Sequence, residues 1–165
     1  MKPAFMVIDM QKAFYKGQTA PSMDQACDYI NAAIPLFRQK KLPVIWVQDM
    51  DKEDGVVPGV EGFELIDPLK PQKSDKKIIK QYGNGFNKTD LKSFLDQSDI
   101  DTVILSGYCA ENCVLSTYRG AQDLDFTAVM LRGSLASGKE ENITFVENIS
   151  QIISYGVLKK ILAII

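Results

Sequence analysis

The sequence predicts a single α/β domain spanning residues 1–165, a mostly parallel sheet covered by helices on both faces. Short apolar runs (Ala4–Asp9, Pro43–Asp49, Thr102–Gly107, Thr127–Leu131) alternate with stretches of helical spacing, the pattern of strand–helix–strand units. With 165 residues, 45% hydrophobic and 24% charged, one domain can bury a sufficient core without disulfides or a structural metal. No repeat, low-complexity segment or interdomain linker interrupts it.

Ala4–Asp9 reads as a buried strand that ends in an acid. Ser22 can cap a helix to about Lys40, with Ala26, Tyr29, Ile30, Ala33 and Phe37 at helical spacing. Pro35 predicts a kink or an early break there. Pro43–Asp49 is β-branched and apolar, a second strand. From Met50 to about Asp75 the chain is rich in Gly, Pro and acids, a long loop with one helical turn near Gly62–Ile66. Loops of this length in compact domains are often functional. Lys77–Lys80 is a short strand, and Thr89 caps a helix through Gln97. Thr102–Gly107 is a strand, Glu111–Leu124 a helix despite Gly120, Thr127–Leu131 a strand, Glu140–Ile153 a helix and Leu158–Ile164 the last strand.

Net charge is −2 and no basic stripe is visible, which argues against nucleic acid as a partner. The Lys40–Lys41 pair and the Lys73–Lys80 run read as solvated surface, Lys80 excepted. No apolar run approaches the roughly 20 residues needed to span a bilayer, so no membrane partner is expected. The first residues are too soon acidic for a signal peptide, and three cysteines without a disulfide pattern fit a reducing compartment. A cytoplasmic location is the expectation. The chain contains no histidine. Ser-His-Asp and Cys-His arrangements and His-liganded zinc are thereby excluded, and a hydrolytic base must be a carboxylate, lysine or tyrosine.

Three residues stand out. Asp9 closes the first strand, and in parallel sheets ligands bind beyond the carboxyl ends of strands; a turn aspartate is the plainer reading. Cys113 follows the fourth strand and falls in the first turn of the next helix, where the dipole and free N–H groups favour a thiolate and can hold an oxyanion; a buried structural cysteine is the plainer reading, and the one given to Cys27. Lys80 follows the apolar pair Ile78-Ile79; by position alone it is a surface lysine.

Their order along the chain resembles that of the isochorismatase-like cysteine hydrolases. Gly107 to Cys113-Val114 is similar to that family's glycine, five residues, then Cys-Val. Lys80, Phe86 and Thr89-Asp90-Leu91 resemble its lysine, phenylalanine and Thr-x-Leu segment. Asp9-Met10-Gln11 with Phe14 resembles its Asp-x-Gln-x-x-Phe opening, and Gly59 with Gly62-Phe63-Glu64-Leu65 its glycine-spaced loop. The resemblance implies a Rossmann-like three-layer αβα fold with six strands in the order 3-2-1-4-5-6. It implies an Asp9–Lys80–Cys113 triad, a cis Tyr108–Cys109 peptide, and an oxyanion hole of the Cys109 and Cys113 N–H groups. It further implies a homo-oligomer acting on a small molecule without a cofactor. Phe14, Trp46, Tyr82, Phe86 and Tyr108 are the aromatic candidates for the substrate pocket, each with a core residue as its alternative.

Departures from the family bear on specificity. Its nicotinamidases carry a metal site of aspartate and histidines just after the second strand. Here that stretch is Asp49-Met50-Asp51-Lys52-Glu53-Asp54, so no zinc-type site is expected. The cluster reads as a solvated acidic loop, with a hard-cation site as the alternative. Ala110-Glu111 stands where Thr-Asp is common, and Arg132-Gly133 where Asp-Ala is common. True isochorismatases lack the cysteine, so Cys113 points to amide, ureido or carbamoyl hydrolysis through a thioester. A binding or scaffold protein that kept the fold, and a thiol sensor using Cys109 and Cys113, are the competing classes.

Overall fold

A computed structural model describes residues 1–165. Six strands form one sheet, β1 (Pro3–Ile8), β2 (Val44–Asp49), β3 (Lys76–Lys80), β4 (Thr102–Tyr108), β5 (Thr127–Ala136) and β6 (Ile152–Ile153), in the order β3-β2-β1-β4-β5-β6. Every neighbouring pair is parallel. The helices are α1 (Thr19–Gln39), α2 (Leu91–Gln97), α3 (Leu115–Asp123), α4 (Glu140–Asn148) and α5 (Tyr155–Ile164).

All six residues of β1 are buried, because this central strand has helices on both faces. Ala4, Met6 and Ile8 join a core with residues of α2, α3 and α4. Phe5 and Val7 point the other way, into a core with α1 and α5. That two-residue alternation defines the three layers. Cys27 is buried in the second core, on the apolar face of α1.

Several boundaries differ from the expectations. Helix α1 begins at Thr19, three residues before Ser22, whose hydroxyl accepts the Ser137 N–H at 3.0 Å and thereby ties α1 to the end of β5. Pro35 does not end the helix, which continues to Gln39. Pro35 is exposed, so the carbonyl deprived of its partner faces water. The turn in the long loop is a 3-10 turn at Glu61–Phe63. Strand β5 runs past Leu131 to Ala136, its register with β4 shifting between Leu105 and Gly107. Gly133, at a φ of 82°, sits in the irregular stretch. The chain from Leu158 to Ile164 is helix and not strand. Ser154 caps it by accepting the Val157 N–H, and Leu158 and Leu162, four apart, bury against α1. The sixth strand is instead the short Ile152–Ile153, and α4 ends at Asn148, ahead of the Ile153 expected for it.

One glycine sets the spacing at the centre of the sheet. Gly107 pairs with Ile8 across β4 and β1. It has a φ of 110°, and a Cβ there would fall 2.7 Å from the Ile8 nitrogen and nearer still to its carbonyl oxygen. Gly107→Ala combines a forbidden φ with a backbone clash. It should cost about 3 kcal/mol or more, read as a lowered urea midpoint or loss of soluble protein; an unchanged midpoint would contradict this account.

Candidate active site

Four strand ends meet on one side of the sheet. Asp9 follows β1, Asp49 ends β2, Lys80 ends β3, and β4 leads through Tyr108 into a π-helical turn, Ala110–Val114, that carries Cys113. Asp9 adopts a left-handed φ of 49°, which aspartate tolerates better than most residues. Its N–H bonds to the Val47 carbonyl and its carbonyl accepts from Gln11, each at 2.8 Å. The carboxylate is thus turned off the strand axis and over the strand ends.

Lys80 lies two strands from β1. At roughly 4.8 Å per strand, only a long side chain can cross β2 to reach Asp9. It does so: Nζ stands 2.8 Å from Asp9 Oδ2, 2.9 Å from Asp49 Oδ1 and 3.4 Å from Cys113 Sγ. An ammonium has three N–H donors, and here each has a partner. Lys80 and Asp9 are both 1% exposed, whereas Cys113 is partly exposed. The three residues singled out in the sequence therefore converge, and Lys80 is a buried ion-paired residue and not surface.

Asp9 is held at a pKa of about 6. Burial raises it most; Lys80 lowers it by charge and by hydrogen bond, the Cys113 thiol lowers it by hydrogen bonding, and the Asp49 charge raises it. Asp9 Oδ1 is buried and makes no close hydrogen bond, so it is the oxygen left to take a proton. Burial opposes the Lys80 ammonium, but Asp9, Cys113 and Asp49 outweigh it and push the pKa up. Burial, then the Asp9 charge, pushes the Cys113 thiol up to about 12, against a smaller opposing pull from Lys80. Cys113 at rest is thus a neutral thiol, in contrast to the thiolate that a helix N-terminus alone would favour.

Asp49 is the residue that sequence reading missed. It was grouped with a solvated acidic loop, yet it is paired in register with Lys80 and bonded to it. Its backbone is clamped by the fully buried Gln11, which accepts the Asp49 N–H at 2.7 Å and donates to the Asp49 carbonyl at 2.9 Å. The available signal was its place at the carboxyl end of a strand, the argument already applied to Asp9. Asp51 turns back on its own loop, accepting the N–H groups of Glu53 and Asp54.

Among the aromatic candidates, Phe14, beyond the end of β1, and Tyr108, the last residue of β4, stack with ring centres 5.4 Å apart. Tyr82 is exposed, its hydroxyl accepting from Lys88 Nζ at 2.9 Å. Trp46 and Phe86 are core residues instead. Trp46 alternates onto the α1 face of β2, wholly buried, and donates its indole N–H to Asp75 at 2.9 Å. Phe86 stacks on Phe126 in the opposite core. The Tyr108–Cys109 peptide is cis. Cys109 Sγ lies 4.0 Å from Ser137 Oγ, and its thiol also interacts with Glu111.

An isochorismatase domain model matches residues 3–152. The chain is 29% identical over 149 residues to the isochorismatase family protein YrdC of Bacillus subtilis, covering 87% of this chain and 80% of that one. Among solved structures, N-carbamoylsarcosine amidase from Thermoplasma acidophilum superposes with a TM-score of 0.80 at 28% identity, covering 93% of this chain and 95% of that one. An isochorismatase-like hydrolase from Alkaliphilus metalliredigens superposes with a TM-score of 0.87 at 24% identity, covering 99% of each.

Lys80→Met should leave the buried Asp9 carboxylate and the partly exposed Asp49 carboxylate facing each other without a cation. The expected loss is about 3 kcal/mol at pH 8. It should shrink at pH 5, where Asp9, deprived of Lys80 and with its pKa raised further, takes up a proton. Denaturant melts at the two pH values test this, and equal losses at both would contradict the pairing.

Proposed function

The chain belongs to the isochorismatase family, and on that premise we propose that it is a cysteine hydrolase cleaving a C–N bond (amide, ureido or carbamoyl) of a small molecule through Asp9, Lys80 and Cys113. The observation that carries this reading is one ammonium touching both a buried carboxylate and a cysteine sulfur, at 2.8 and 3.4 Å, from three distant points of the chain. The amidase relative among the solved structures supports the choice of C–N bond.

Each step uses groups in place. Asp9 takes the thiol proton as Cys113 Sγ attacks the carbonyl carbon, and the Lys80 ammonium stabilises the sulfur as it gains charge. The N–H groups of Cys109 and Cys113 hold the oxyanion. The tetrahedral intermediate expels the amine, which leaves with the proton from Asp9, and a thioester remains. Asp9, again a carboxylate, draws a proton from water as its oxygen attacks the thioester. The second tetrahedral intermediate expels the Cys113 sulfur, Asp9 returns the proton to it, and the carboxylic or carbamic acid departs from the restored thiol. A neutral resting thiol beside a base of pKa about 6 suits this sequence, because proton transfer accompanies attack and a standing thiolate is not required. The proposed setting is a cytoplasmic homo-oligomer; no helix is long and apolar enough to cross a membrane.

A screen of primary amides, ureido acids and N-carbamoyl amines, read by release of ammonia or amine, should find turnover. Cys113→Ser and Asp9→Asn should each reduce it at least about 10³-fold while the circular dichroism spectrum persists. Because the base works ionised, kcat/KM should fall as pH drops through about 6. Retained turnover in either variant defeats the proposed chemistry. Silence of the native protein across the screen favours the scaffold reading.

A further inference from the structure

We propose that Asp49 is a positioning residue of this site, sharing the Lys80 ammonium with Asp9 so that the lysine is fixed between two carboxylates and Asp9 is left basic enough to accept the thiol proton. The proposal rests on the reading of Asp9, Lys80 and Cys113 as the reacting unit.

The geometry is that of a bridge with a central pier. Strand β2 lies between β1 and β3, so the Lys80 side chain must pass over β2 to meet Asp9. Asp49 is the β2 residue in register with Lys80. Its Oδ1 takes one ammonium proton at 2.9 Å while Asp9 Oδ2, at 2.8 Å, faces another. The Gln11 side-chain amide clamps both backbone groups of Asp49, donating to its carbonyl and accepting from its N–H. Gln11 also donates to the Phe63 carbonyl at 3.0 Å, joined there by Gln48 at 2.8 Å. Asp49 is therefore braced by the segment that follows β1 and by the long loop. Its side chain is 24% exposed, against 2% for Asp9, so its charge costs less to keep than that of its neighbour.

A lysine paired with one buried carboxylate would bind it as a tight ion pair and weaken it as a base. A second carboxylate on the same ammonium divides that attraction and adds its own repulsion of the Asp9 charge. The ionisable groups at Asp9 come from every strand end around it: Asp49 from β2, Lys80 from β3 and Cys113 from the turn after β4. With the thiol neutral and both acids ionised, the group carries one net negative charge. Removing the Asp49 charge should lower the proton affinity of Asp9 and, by leaving the Lys80 charge less neutralised beside Sγ, favour the Cys113 thiolate.

The test is the rate of Cys113 alkylation by iodoacetamide against pH, read by peptide mass spectrometry on the full chain, which needs no knowledge of the substrate. Asp49→Asn should move the midpoint down by about one pH unit and raise the rate at pH 8 about tenfold. Asp49→Glu, which keeps the charge, should restore the native midpoint. Asp54→Asn, which removes an exposed charge from the same loop, should leave it unmoved. Asp49→Ser replaces the asparagine variant should that one not fold. An unmoved or raised midpoint on losing the Asp49 charge overturns the proposal. So does an equal displacement in the Asn and Glu variants, which would mark Asp49 as merely structural. Amide turnover is measured separately in the native protein. Its absence would count against the hydrolase reading, while the alkylation comparison would still decide the role of Asp49.

Discussion

Everything at the carboxyl edge of the sheet answers to one buried ammonium. Moving a lysine out of water is costly unless its charge and all three protons are met. Here two carboxylates and a sulfur meet them within 3.4 Å. That requirement reaches far beyond the lysine. It demands that β1, β2 and β3 end level with one another, that β4 deliver its turn within reach, and that no other side chain occupy the space between. The register pairs Asp49 with Lys80 and Ile8 with both Val47 and Gly107, which satisfies the first demand. Gly107, by lacking a Cβ that would strike the Ile8 backbone, lets β4 lie close enough to β1 to meet the second.

The loop after Lys80 and the helix after Cys113 are held together by a second, simpler device. Thr117 on α3 is wholly buried, and its hydroxyl accepts the Gly85 N–H at 2.9 Å. Gly120, one helical turn on, lies against the Asn84 side chain, where a Cβ would collide with it. Asn84 in turn accepts the Phe86 N–H at 2.9 Å and shapes the loop. Lys80 and Cys113 thus sit on segments that cannot separate without breaking a buried hydrogen bond. Gly120 has its reason in this contact, despite its cost to helix propensity.

Much of this was legible in the residues because the relevant signals are local. The buried strands announce themselves as apolar runs, and Asp9 and Cys113 fall where such strands hand over to loops. The strand order and the convergence of three distant residues came from the resemblance, since no local pattern encodes which strand lies beside which. What local reading lost, tertiary contact decided. Leu158–Ile164 is apolar enough for a strand, but the Ser154 cap and the four-residue spacing of Leu158 and Leu162 against α1 make it a helix. Strand β5 seemed to stop at Arg132-Gly133, yet the sheet continues beyond an irregularity that Gly133 permits. Asp49 was hidden by its acidic neighbours, because sequence proximity to Asp51 and Asp54 says nothing of its alignment with Lys80. Trp46 is a pocket candidate by its chemistry and a core residue by its alternative, and the alternation of β2 decides for the core by turning it away from the cleft.

That displacement of Trp46 makes the protein its own optical gauge. It is the sole tryptophan in the chain, sealed from solvent in the layer beneath α1 with its indole N–H committed to Asp75. Its emission should therefore register the integrity of the packed interior. Substitutions at Asp9, Asp49 or Cys113 that alter reactivity alone should leave the spectrum blue and unchanged, and those that loosen the scaffold should shift it toward the red.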